Sequence, residues 1–326
     1  MTGAAVAAAP ARSYRSAATH PVRSNTASAR PALRKAKRRE LVGDILFSAP
    51  ATILIAAFVL APIVIAGYLS FTDWNGYSAN PELVGWDNYR EFLTDSRAAG
   101  AALFTAVMAV IATVTCNALG LGLAIAVNGV SRFNSVMRAV MFYPFVLGAV
   151  ILGFLWSAIL GTNGAIAGLL EAAGAEKLPF LSDPLWAAGS VIFVVVWSHF
   201  GVSMVLYLAG LQTIPESLIE AATIDGAGPW MTFWKVKLPL LAPVVTLNLV
   251  LLMVGLLRTY EVVLALTGGG PAGRTETVVY NILLTSLRNG ELGYGAAQSL
   301  VLMIVIVTIA VAITAYRRRA EKDVVA

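Results

Sequence analysis

Few residues in this chain are equipped for bond-making chemistry. The histidines are His20 and His199, and neither has a Cys or carboxylate neighbour at metal-ligand spacing. A lone cysteine, Cys116, excludes an intramolecular disulfide. The sequence holds no G-x-x-x-x-G-K-[ST] phosphate loop and no G-x-S-x-G nucleophile elbow. No catalytic residue, no metal site and no cofactor of its own are therefore expected. Two groups of residues remain. Arg258, Tyr260, Glu261 and Asn248 lie within apolar sequence, as do the ring faces of Trp197 and Tyr207. An ionisable group inside a membrane span costs about 2.5–3.5 kcal/mol on insertion scales and usually faces a bundle interior or a wet cavity. Arg258 and Glu261 stand at i, i+3 spacing and could pair. They could line a solute path, or the pair could be structural, with Arg258 reaching the interface and the aromatic residues forming a membrane belt. His199 reads as a packed or hydrogen-bonded side chain.

The second group is the segment EAATIDGAGPWMTFWKVKLP, residues 220–239, polar and punctuated by glycine between two apolar stretches. Thr213 and Glu216 have capping-box spacing and Pro215 suits a first turn, which predicts a short helix from near Ile214. Glu216, Glu220 and Thr223 then share one face, and Ile214, Leu218 and Ala221 another. Gly226 suits the left-handed residue that ends a helix, and Gly228-Pro229 restarts the chain in a new direction. A second short helix from Pro229 presents Trp230, Phe233 and Trp234 on one side. Two readings fit this pattern equally: a docking element for another protein, or an interfacial hairpin resting on lipid head groups.

The elements that position both groups are membrane spans. Of the 326 residues 58% are hydrophobic and 13% charged, and the apolar residues come in blocks. A helix needs about 20 apolar residues to cross the hydrocarbon core. Six stretches qualify, at roughly 46–70, 101–127, 135–159, 186–210, 239–266 and 297–316. Backbone groups in lipid must be satisfied within the segment, so an all-α polytopic bundle of six transmembrane helices is expected. Lys and Arg crowd the sequence before the first span and after the last, from Arg34 to Arg39 and from Arg317 to Lys322, which places both termini in the cytoplasm. Arg132 and Arg138 in the second connection, and Lys235 and Lys237 in the fourth, fall on the same side. The first connection, with Asp73, Glu82, Asp87, Glu91 and Asp95, falls outside. Residues 1–43 are expected to be a disordered basic cytoplasmic tail, 44–318 the transmembrane domain with its cytoplasmic loop at 211–239, and 319–326 a short cytoplasmic tail. The tail is also transit-peptide-like, whereas the long apolar stretch after it argues against a cleaved secretory signal. The net charge of +5 belongs to these juxtamembrane clusters, so no nucleic-acid partner is expected.

The loop also matches a known pattern: E-A-A, three residues, G, nine residues, an aliphatic residue, any residue, L-P. It falls on Glu220, Ala221, Ala222, Gly226, Val236, Leu238 and Pro239, with Val236 where Ile is usual; Asp225 precedes the glycine. The chain thereby resembles the permease subunits of ABC importers of the carbohydrate-uptake branch, over roughly residues 45–316. Further blocks carry the resemblance: Gly85, Asn88 and Tyr89 after an aromatic-rich segment, Pro144 and Trp156 in the third span, the run LAGLQTIPESLIEAATIDGAG, and TGGGP with Thr275 and Gly293-Tyr294. Ala167 stands where the family often has Asn.

The resemblance implies type I importer architecture in a bacterial plasma membrane. It implies a second permease subunit that is a different chain, two ATPase subunits that bind ATP and Mg, and an extracytoplasmic solute-binding protein. Glu220, Ala221, Ala222, Asp225 and Gly226 would form the coupling helix and its elbow, with Val236, Leu238 and Pro239 leading back to the membrane. Two rivals stand beside this reading: an ion-coupled secondary transporter, of whose expected internal repeat no clear sign is found, and a membrane assembly subunit that transports nothing.

Overall fold

The computed structural model describes residues 47–325; the basic segment 1–43 lies outside them. Among the described residues the chain is helical, with a lone antiparallel bridge between Thr72 and Leu83. α1 is Phe47–Leu69, α2 Asp87–Thr94 and α3 Ser96–Ala126. The third apolar stretch holds α4 (Arg132–Val146) and α5 (Ala149–Leu160), and α6 (Ala165–Ala172) comes next. α7 is Pro184–Gln212, α8 Glu216–Ile224, α9 Pro229–Leu240 and α10 Ala242–Leu256. α11 (Glu261–Leu266), α12 (Val278–Arg288) and α13 (Leu292–Val325) complete the chain. Among the described residues five helical segments are long and apolar enough to cross a membrane, Ala149–Ala172 among them, and α9 with α10 forms a sixth candidate bent by 65°. A count of six spans is consistent with this.

Two predicted spans are broken where the sequence suggested continuity. The third, 135–159, is interrupted at Leu147 and Gly148, whose backbones are extended. Pro144 removes a helical donor one turn earlier, and Gly148 carries the highest backbone-entropy cost of any residue in a helix. The fifth, 239–266, stops at Leu256 and resumes at Glu261 after a turn through Leu257–Tyr260. The connection between the last two spans contains α12, an apolar helix too short to count as a crossing.

Local chemistry fixes the ends. Asp95 caps α3 by accepting from the N–H groups of Arg97 and Ala98, and Asp183 caps α7 through Leu185 and Trp186 with Pro184 in the first turn. In the block after α1, Asn88 donates to the carbonyls of Ser70 and Thr72, Tyr89 donates to the Ser70 hydroxyl, and Phe71, Trp86 and Tyr89 pack as a ring cluster. The core forms where α3 and α7 meet, with Met108, Ala112, Cys116, Val191, Val194 and Val195 joined by Leu252 and Leu256 of α10. Close approach depends on small residues. A Cβ on Gly120 would stand 2.5 Å from the Ser203 Cβ, and one on Gly201 would stand 2.1 Å from the Met141 carbonyl.

Candidate functional site

The segment 216–240 folds as two helices at an elbow. α8 carries Glu220, Ala221 and Ala222, with Glu220 and Ala221 exposed and Ala222 half-buried. The expected capping box is absent: Pro215 occupies the N-cap position, and the Thr213 hydroxyl donates back to the Gly210 carbonyl at 2.8 Å. α7 therefore ends by consuming the residue that would have started α8, and the helix begins at Glu216. Its C-terminus closes as the sequence suggests. Gly226 has φ +82°, its N–H bonds to the Thr223 carbonyl, and the Ala227 N–H bonds to the Ala222 carbonyl. These are the paired bonds of a Schellman motif, with Asp225 as exposed C-cap residue. No atom lies within 4 Å of where a Gly226 Cβ would stand, so the glycine is required by its backbone angle rather than by crowding.

α9 presents Trp230, Phe233 and Trp234 as a contiguous ring cluster, with centroids 5.4–6.5 Å apart. Its middle widens into a π-turn at Phe233–Lys237, where the Leu238 N–H bonds to the Phe233 carbonyl. This looser turn lets the helix continue through Pro239, which offers no N–H. Val236, Leu238 and Pro239 are half-buried, and the chain bends at Leu241, which is fully buried among Ala124, Met204, Tyr207 and Leu208. Arg317 of α13 donates to the Thr246 hydroxyl and the Ala242 carbonyl, fastening the first turn of α10.

The residues expected along a solute path separate into three places. Arg258, Tyr260 and Glu261 line one cavity of about 410 Å³ with His199 and Thr259. No ion pair joins Arg258 to Glu261 among the described residues. The break in the helix removes the i, i+3 geometry, and the Glu261 carboxylate accepts from the Tyr260 N–H at 3.4 Å instead. His199 is hydrogen-bonded, its Nδ1 2.9 Å from the Val195 carbonyl. Asn248 and Tyr207 are buried elsewhere. The Tyr207 hydroxyl and the Asn248 amide both donate to Oδ1 of Asn117, the latter at 3.1 Å, and Ser203 approaches Asn248 Oδ1 at 3.5 Å. Trp197 packs edge-on against Trp156 at 5.3 Å, at a third position.

Asn117 joins α3, α7 and α10 at one oxygen, yet it is not among the residues singled out from sequence. Its signal there is a lone amide in the apolar stretch 101–127. A second missed feature is Glu276, 3% exposed, gripped by Arg97 through two bonds of 2.8 and 2.6 Å. Asn281 donates to the same carboxylate and Gln298 to Asn281. Separation along the chain conceals this pair.

Residues 117–322, more than half the chain, match the model of the binding-protein-dependent transport system inner membrane component family. The chain belongs to that family. It is a multi-pass membrane permease subunit of a binding-protein-dependent importer. Among its relatives is the probable starch degradation products transport system permease AmyD of Thermoanaerobacterium thermosulfurigenes, 32% identical over 82% of this chain and 90% of that protein. The sn-glycerol-3-phosphate permease UgpA of Brucella abortus is 33% identical over 83% of this chain and 92% of its own length. In fold, the permease resembles a chain in the crystal structure of a bacterial ABC transporter that imports the acidic polysaccharide alginate, with a TM-score of 0.75 over 89% of this chain and 99% of that one at 20% identity.

Proposed function

We propose that this permease forms half of the translocation pathway for a sugar or sugar-like solute and that α8 with its Gly226 elbow docks into a separate ATPase. The observation that carries the docking assignment is the exposed face of Glu220 and Ala221 on a short helix whose exit is fixed by the Gly226 turn. Small alanine side chains permit close approach, and a rigid elbow transmits a push from α8 through α9 to the bend at Leu241. In this reading the loop and both termini face the cytoplasm of a bacterial plasma membrane, two ATPase subunits bind ATP and Mg, a second and different permease chain completes the pathway, and an extracytoplasmic solute-binding protein delivers the solute. Relatives named for starch degradation products, multiple sugars and sn-glycerol 3-phosphate support the solute class.

The cavity holding Arg258, Tyr260, Glu261 and His199 is the place we assign to solute. Its guanidinium, carboxylate and phenol offer the mixture of donors and acceptors that a polyhydroxylated or phosphorylated solute needs. Asn248, Tyr207 and Trp197 hold helices in register around it rather than line it. A mild-detergent pull-down from the native membrane tests the assembly. Recovery of an ATPase, a second six-span chain and a solute-binding protein is expected. A chain that emerges alone and moves solute in liposomes under an ion gradient would overturn the proposal.

A further inference from the structure

A small cavity of about 330 Å³ opens where two spans end. Ile125 and Asn128 contribute from the end of α3, Leu211 from the last turn of α7, and Pro229, Trp230, Phe233 and Lys237 from α9. Its walls are largely apolar, and the charged group among them is Lys237. The Lys237 side chain has no carboxylate partner among the described residues. A further cation stands at the same turn: the Arg138 guanidinium donates to the carbonyls of Val127 and Gly129 on either side of Asn128.

We propose that this cavity binds an anionic phospholipid. The phosphate would meet Lys237 and the positive field of Arg138, and the first part of an acyl chain would cover Ile125, Leu211 and Phe233. Depth supports a lipid as occupant, because α3 and α7 both terminate here, where hydrocarbon gives way to head groups. Trp230, largely exposed, and Trp234, about half exposed, are residue types that favour that layer. A soluble anion would satisfy Lys237 but leave the apolar wall wet. The site rests on the proposed orientation of the α8–α9 loop only for which leaflet supplies the lipid.

Trp230 provides the readout. The intact complex is placed in nanodiscs containing either bromine-tailed phosphatidylglycerol or bromine-tailed phosphatidylcholine, and tryptophan quenching is compared with that of Trp230→Phe. The wild type should show a Trp230-dependent excess of quenching by the anionic lipid. Titrating the anionic lipid into neutral nanodiscs should give an affinity that falls about five-fold in Lys237→Ala and is retained in Lys237→Arg. Equal quenching by the two lipids, or an unchanged Lys237→Ala, would overturn the site. Displacement of the brominated lipid by inorganic phosphate alone would overturn the lipid in favour of a free anion. None of these measurements depends on transport, so their failure leaves the ATPase-docking proposal standing, and the converse holds too.

Discussion

The guanidinium of Arg97, at the start of α3, grips the carboxylate of Glu276 fork to fork, joining segments 179 residues apart. The glutamate is nearly buried while the Arg97 side chain keeps 54% of its surface. Such a pair is held mainly by geometry, and removing one partner leaves a charge without compensation. Arg97→Ala should therefore lower the stability of the purified subunit by about 2 kcal/mol, below the range for wholly buried pairs because the arginine is half solvated. Glu276→Gln should cost less, since the amide keeps an acceptor for Arg97 without burying charge. Thermal unfolding in detergent measures both, and equal stability of Arg97→Ala and wild type would contradict the account.

At Asn117 three spans share one acceptor. Asn117→Leu strands the Tyr207 hydroxyl and the Asn248 amide among apolar side chains and should cost about 1–3 kcal/mol. Tyr207→Phe removes only a donor and should cost about 0.6 kcal/mol, the average for a hydrogen bond between membrane helices. The ordering of the two unfolding temperatures is the check; a Tyr207→Phe more damaging than Asn117→Leu would reassign the centre of the network.

The spans and the elbow are legible in sequence because each rests on local rules. Apolar length marks a crossing, and Gly226 with Gly228-Pro229 after it marks a helix stop and restart. Elsewhere a competing local bond or a distant partner decides the outcome. Thr213 could cap α8 or bond back to Gly210, and it bonds back. Arg258 and Glu261 have helical spacing, but the chain leaves the helix between them. Asn248 lies in the same apolar stretch as Glu261, and only packing against α3 and α7 reveals that it belongs to Asn117. The Arg97–Glu276 pair cannot be read from spacing at all.

Glu261 is the residue on which the solute assignment turns. Glu261→Gln retains the shape of the cavity and should weaken uptake by raising the solute concentration for half-maximal rate, while assembly with the partner chains stays intact. Unchanged affinity and rate would remove Glu261 from the solute path.

At Gly226 the left-handed angle imposes a graded cost. Gly226→Ala should strain the elbow by about 1–2 kcal/mol and reduce transport in part, since no neighbour obstructs a methyl group. Gly226→Val, β-branched at a positive φ, should abolish transport with normal insertion of the protein into the membrane. An elbow tolerant of valine would show that its backbone angle is unimportant for uptake.

The most direct test of coupling places a charge on α8 itself. Ala222→Asp is introduced into the complete importer, and membrane insertion, co-purification of the ATPase and solute-stimulated ATP hydrolysis are measured on the same preparation. Normal insertion with loss of the bound ATPase and of stimulated hydrolysis is expected. Wild-type hydrolysis and uptake with Asp at position 222 would contradict it.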